Sequence, residues 1–468
     1  MLMQKGMPSP VKQKKRLINL ILIAVVLSIL IGIPFFITGY QGQHRGMSRI
    51  EVIKRLLNKT GAKDNVSGEV ITDTDGEKIA FLNPMPVGLL FTEPPLISHV
   101  QATDFDGDSL LDIIVCDCKS NSVNLIRQHP AGTYTETVLA DGMVAPAHAQ
   151  ITDFDKDGDN DIMVAVLGML FPNNDKIGSV VILENNDNAK FTKHVIINKV
   201  ARVSDVRAGD LDDDGDMDLA AGQFGYDDGE TRWIENLGNW KFRSHILQNL
   251  SGPVNVEPVD IDRDGDLDII SLVTQEWEEI YCYLNDGKGN FTSRLLYGSS
   301  NEDFGSSGIY ISDFDKDGDD DILYTNGDAF DYIPPQGRPW HGVQWLENKG
   351  NLNFEFHRLC NFTGAYNARP SDIDNDGDND LFSVSGFNLW DRPESQSFIW
   401  LENSGNMQFI RHDITSTPTH LLTLELGDFN NDGLMDMVTG GMHTYPPYDR
   451  MSRITLWINN GKLVREKL

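Results

Sequence analysis

The chain has 468 residues, of which 70 are acidic and 39 basic, giving a formal charge of −31. So large an acidic excess excludes a nucleic-acid binder, because a phosphate backbone is held by a basic face. Four cysteines with no C-x-x-C pair exclude thioredoxin-type redox chemistry and covalent haem.

Residues 1–16 form a basic tail in which Lys5, Lys12, Lys14, Lys15 and Arg16 stand without an acid. From Leu17 to Ile37 the chain is apolar except for Asn19, Ser28, Gly32 and Pro34, long enough to cross a bilayer. The sequence predicts one uncleaved transmembrane helix over residues 17–39, with a cytoplasmic N-terminus and everything after it periplasmic or extracellular. The apolar run is longer than a secretory leader's core and no small-residue cleavage site follows it. Residues 40–96 read as a linker. Within it, Ile50, Ile53, Leu56 and Leu57 space a juxtamembrane helix over 48–59, and Asp73-Thr74-Asp75-Gly76 turns a hairpin over 69–82 that either packs on the next domain or adds an edge strand to it.

Residues 97–468 carry a nine-residue cassette, D-x-D-x-D-G-x-x-D, seven times at a mean period of 54 residues, the mark of a repeat architecture. Positions 1, 3, 5 and 9 are Asp104, Asp106, Asp108 and Asp112 in the first copy and Asp153, Asp155, Asp157 and Asp161 in the second. The third and fourth hold Asp210, Asp212, Asp214, Asp218 and Asp260, Asp262, Asp264, Asp268. The fifth, sixth and seventh hold Asp313, Asp315, Asp317, Asp321, then Asp372, Asp374, Asp376, Asp380, then Asp428, Asn430, Asp432, Asp436. Hard oxygen donors at alternating positions, bent around a glycine, wrap Ca²⁺ better than Mg²⁺, which demands stricter geometry. The cassettes hold 34 of the 70 acids, so much of the charge is ligand charge. Each ninth-position Asp runs into strand-like text such as Ile162-Met163-Val164-Ala165-Val166, so the loop joins two strands and not the helices of an EF-hand.

The run from Asp153 to Ile162 resembles the FG-GAP, or VCBS-type, repeat, whose calcium cassettes also occur in the seven-bladed propeller of the integrin α-subunit head. The resemblance implies an all-β fold, a seven-bladed β-propeller with calcium-binding inter-strand loops behind the N-terminal transmembrane helix. It carries function only weakly, since one fold hosts many roles. Two copies depart from the pattern: Ser109 replaces the glycine of the first, and Asn430 and Leu434 enter the seventh. A side chain at positive φ costs about 1 kcal/mol, so the first site is expected to bind most weakly.

Each period reads as four strands, and alternation of strand direction puts the calcium hairpins on one face and the loops between second and third strands on the other. Those loops are rich in aromatic and charged residues, among them Asp328, Trp340, His341 and Trp390, which are candidates to bind a ligand. Aligning the first strands on their cassettes brings a second set to one side, at the mouth of a central channel: His99, His148, Asp205, Arg207, Glu257, Tyr310, Arg369 and Glu425. Cys282 and Cys360 fall in neighbouring repeats and are candidates to pair.

The sequence thus predicts a membrane-anchored calcium propeller that binds a carbohydrate or a protein on the face opposite the calcium loops. A polysaccharide lyase or hydrolase using the channel-mouth cluster, and a scaffold subunit of a membrane complex, stay open beside it. No nucleophile-elbow, zinc-protease or phosphate-loop motif occurs.

Overall fold

Six periods of the sequence fold as four antiparallel strands each, and the seventh supplies three. The computed structural model describes residues 82–461 apart from 187–189 and 276, together with the backbone of 77–79 and 465–467. Blade one is Ile97–Thr103, Asp112–Asp117, Ser122–Gln128 and Tyr134–Ala140, paired in that order, and the cassette closes the hairpin between the first two. The innermost strands of blades two to seven are Pro146–Thr152, Val203–Gly209, Pro253–Val259, Ser306–Ser312, Ala365–Ser371 and Leu421–Gly427. Each innermost strand lies against the next, and the seventh lies against the first, so the sheets form a closed ring. Among the described residues no helix is long and apolar enough to cross a membrane. The expected anchor, the juxtamembrane helix and the turn at 73–76 lie outside the described residues.

The apolar runs after the cassettes become second strands buried at every position, as in Asp161–Val166 and Asp380–Ser385. Both faces are covered because blades stack on each other, so core clusters sit between blades. Phe314, Leu323, Trp345, Leu381 and Leu401 join blades five and six. Fourth strands lie at the rim and are mostly open to solvent, as in Tyr134–Ala140.

Blade seven has only three strands of its own. Leu82–Pro86 supplies the fourth, pairing antiparallel with Ile454–Asn459 from Leu82 opposite Asn459 to Pro86 opposite Thr455. The ring therefore begins at Leu82, within the segment read as linker. Of the segment read as a hairpin, 77–79 adds a strand beside Phe409–Thr415 of blade six and pairs with 465–467, and Leu82–Pro86 goes to blade seven. The seam is closed by Val87, Ile97, Val100, Phe429, Val438 and Leu456. All four cysteines are buried free thiols, so Cys282 and Cys360 do not pair.

A bulge interrupts every innermost strand near its start, between Ile97 and His99 in blade one and between Val203 and Asp205 in blade three. Two residues then oppose one on the partner strand. Ser98 and His99, and likewise Ser204 and Asp205, both line the channel, a second ring of side chains that strict alternation does not anticipate.

Candidate functional site

All seven cassettes fold as one loop. The position-1 carboxylate accepts the position-6 N–H on Oδ2 at 2.8–3.1 Å, from Ser109 to Asp104 through to Gly433 to Asp428. The position-5 side chain accepts the position-7 N–H at 2.9–3.0 Å. The position-9 aspartate is a buried joint: its Oδ1 accepts the N–H at the end of the third strand at 2.7–2.8 Å. In six cassettes its Oδ2 also accepts the position-2 N–H at 2.9–3.3 Å. Burial pushes Asp112, Asp161 and Asp436 up to about 6, and Asp218, Asp268, Asp321 and Asp380 up to about 7. Burial, with position-5 carboxylates adding to it, also raises Asp155, Asp212, Asp262 and Asp374.

Backbone geometry explains the repeated glycine. Position 6 has φ between 85° and 102° in six copies, and position 4 is left-handed in all seven, at 55–74°, although it is Lys156, Asp213, Arg263, Lys316, Asn375 or Asn431 outside the first. These position-4 side chains tie neighbouring loops together: Lys316 Nζ donates to Gly377 O at 2.6 Å, and Asn431 Nδ2 to Ser109 O at 3.2 Å across the seam. The first cassette exchanges the two roles, with Gly107 at position 4 and Ser109 at φ 68°.

The channel gathers the predicted inward set. His99, His148, Arg207, Tyr310 and Arg369 stand at a waist between two chambers. Asp205 lines the upper chamber, on the loop face, while Glu257 and Glu425 line the lower one. Arg207 is clamped by Asp205 at 3.1 Å and Glu257 at 2.9 Å, His148 Nδ1 lies 2.9 Å from Asp205, and Arg369 Nε lies 3.5 Å from Glu425. Burial opposes ionisation of Asp205, yet Arg207 and His148 hold it well below the usual carboxylate range. Burial pushes Glu257 up. His99 falls well below its ordinary value, first through burial and then through His148, Arg207 and Arg369, so it is neutral. Its Nδ1 accepts the Ala149 N–H at 3.4 Å, and its ring lies 4.1 Å from that of His148.

The loop candidates do not share one surface. Asp328 lines the upper chamber, and burial raises it to about 7. Trp340 is half-buried and donates Nε1–H to Asp303 O at 2.8 Å. His341 and Trp390 are 1 % and 7 % exposed, so neither is an open platform: His341 accepts N–H groups of Arg338 and Gly364, and Trp390 packs on His420. Phe330 meets Phe387 edge to face and Phe387 stacks on Tyr445 beside them, sealing blades five to seven.

The pattern of the FG-GAP-like repeat matches residues 104–164, 153–221, 272–324 and 372–439, just over half of the chain. The chain belongs to the FG-GAP-like repeat family. Two crystal structures of BBS1N in complex with ARL6DN resemble this FG-GAP-like propeller in fold. The lead-soaked one has a TM-score of 0.47 at 11% identity over 82% of this chain and 97% of its own. The mercury-soaked one has 0.47 at 10% identity over 81% and 97%. No curated protein matches the chain.

The FG-GAP-like loops meet the requirements of a cation. Oδ1 of Asp153, Asp210, Asp260 and Asp313, and of Asp212, is buried without a hydrogen-bond partner. Buried carboxylate oxygens are costly unless paired or bound to metal. Oxygens of Asp104, Asp106 and Asp108, of Asp153, Asp155 and Asp161, of Asp210, Asp212 and Asp214, and of Asp260, Asp262 and Asp268 fall within 4.8 Å of one another in each set. An all-oxygen donor set of this kind suits Ca²⁺. In blades two, three, five and six a further carboxylate raises the position-3 aspartate: Glu184, Glu235, Glu347 and Glu402. A histidine ten residues on pairs with each, His194, His245, His357 and His412, at 2.5–2.8 Å. Sequence reading missed these pairs, though the E-N text followed by His at +10 marks all four.

Blade one has Arg127 at the equivalent place, ion-paired with Asp106, and His129 Nδ1 lies 3.2 Å from Asp108. Both basic groups would compete with a cation there. Combining Ser109→Gly with Arg127→Gln is expected to tighten the weakest step of a calcium titration about fivefold or more, the equivalent of about 1 kcal/mol. An unchanged weakest step would show that this loop is not the weak site.

Proposed function

We propose that this chain is a calcium-braced binding module, held on the outer side of a membrane by residues 17–39, that captures a protein partner on the face opposite the calcium loops. Its fold is an FG-GAP β-propeller, typical of protein-binding modules. The observation that carries the reading is where apolar side chains remain exposed. Leu90 and Ile333 are 98 % and 100 % exposed, and Met169, Phe171, Tyr226 and Tyr448 join them on second-to-third loops or inter-blade connections, while Val138, Val195 and Ile246 on the outer strands and Leu237 on the cassette face are scattered singly. Exposed apolar groups gathered on one face and rimmed by polar residues mark a protein interface. A carbohydrate, the other partner class expected from the sequence, is less well served, because His341 and Trp390 are buried among other side chains.

The test is cross-linking mass spectrometry of the full chain in its own membranes, with Phe171→Ser and Ile333→Ser combined as the comparison. The wild type is expected to capture a defined partner, and the variant at least tenfold less, with unchanged melting temperature. Equal capture by both would sink the reading. A calcium-dependent hit in a glycan screen with no protein captured would replace it by a lectin.

A further inference from the structure

The upper chamber of the channel has a chemistry of its own. It encloses about 220 Å³, larger than the roughly 150 Å³ cavity that admits benzene, and its outer end is walled by Leu167, Leu170, Phe224, Phe330 and Met442. Three guanidiniums line it, Arg202 near the loops and Arg207 and Arg369 at the waist. The acids that face them are largely committed. Asp205, 1 % exposed, is taken up by Arg207, His148 and the Val256 N–H. Glu257 and Glu425 contact the waist from the other chamber. Burial raises Asp328 to about 7; it also raises Asp331, against the pull of Arg202, whose charge Asp331 partly offsets.

Arg202 supplies a separate observation. It is 3 % exposed, stacks 4.7 Å over Phe224 and donates Nη1–H to Leu170 O and Phe171 O at 3.1 Å. Its Nε and Nη2 are buried with no hydrogen-bond partner. Leaving donors of a charged group unsatisfied is expensive, and the natural complement of a guanidinium fork is a carboxylate. At the waist, the N–H that His99 receives from Ala149 on Nδ1 makes Nε2–H its donor, beside Arg207 and Arg369.

We propose that the upper chamber is a binding site for a carboxylate carried on a compact apolar or aromatic body: the body lies against Leu167, Leu170, Phe224 and Phe330, and the carboxylate engages the guanidiniums of Arg202 or Arg369. The side chains of Phe171 and Ile333 do not line this site, although the Phe171 carbonyl holds Arg202. The carboxylate comes either from a free small acid or from an acidic side chain that a docked protein inserts.

Titration calorimetry of the full chain in calcium, with phenylacetate, phenylacetamide and a capped Phe-Glu dipeptide, separates these cases. Saturable binding of phenylacetate, at least tenfold tighter than its amide, is expected for a free acid. Binding of the dipeptide alone assigns the site to a partner's side chain. Arg369→Gln or Arg202→Gln, whichever guanidinium holds the carboxylate, is expected to weaken the acid at least tenfold, while Ile333→Ser alone leaves it unchanged. The proposal is overturned if neither acid saturates, if the amide binds as well as the acid, or if both arginine variants fold and keep full affinity. The acid-to-amide ratio needs no variant, so it decides the matter even if a substitution fails to fold. Loss of partner capture with intact acid binding, or the reverse, tells the two readings apart.

Discussion

Arg453→Ala is expected to destabilise the ring by about 3–5 kcal/mol, the cost of leaving buried charges without their partner. Arg453, from blade seven, holds two acids of blade one. Its Nη2 is 3.1 Å from Asp117 Oδ2 and 2.6 Å from Glu136 Oε1, and its Nη1 donates to Glu136 Oε2 at 2.7 Å. The side chains of Arg453, Asp117 and Glu136 are 7 %, 8 % and 0 % exposed. Glu136 also accepts the Leu89 N–H at 2.6 Å and an Asn124 Nδ2–H at 2.6 Å, so the clasp holds the incoming chain to both sides of the seam. Chemical denaturation measures the loss. Exposed Arg392 serves as the control, with Arg392→Ala expected to change stability by no more than about 0.5 kcal/mol. If the two variants unfold alike, the seam is not held in this way.

Removing calcium is the second large perturbation, and its pH dependence has a definite sign. The position-9 aspartates are raised by burial to about 6 in Asp112, Asp161 and Asp436 and to about 7 in Asp218, Asp268, Asp321 and Asp380. A carboxyl whose folded value is raised above its unfolded value stabilises the fold below the unfolded value, near 4, and loses that contribution as pH rises through the folded one. Metal-free protein is therefore expected to lose stability between about pH 4 and pH 7. Calcium requires the deprotonated carboxylates, so its stabilisation grows over the same interval. Thermal melts of stripped and calcium-loaded protein are expected to lie close together at pH 5 and far apart at pH 8. A gap independent of pH would contradict this account of the loops.

The sequence disclosed the fold because each cassette fixes a hairpin and the apolar run behind it fixes a strand buried on both faces, as in Asp161–Val166. It was also sufficient to bring Arg207, Glu257 and Arg369 to one channel, since a period of two survives over the few residues before each cassette. Three things were not legible. The bulges add a residue to strands such as Ile97–Thr103, and nothing in Ser98 or Ala147 announces them. Closure by Leu82–Pro86 is a pairing across the whole length of the ring, with no local signal in Asn83 or Pro84. Trp390 and His341 looked like loop residues open to a ligand, but the loops fold inward, and whether an aromatic residue seals or recognises depends on contacts that spacing does not encode.

The central claim is that these loops are ion sites that brace a binding ring. Calcium titration of the full chain, stripped of metal and followed by native mass spectrometry and melting temperature together, tests it most directly. The account predicts ions binding up to one per cassette, the first cassette last, with the melting temperature rising as they enter. A chain that takes up no calcium, or takes it up with no change in stability, would contradict it.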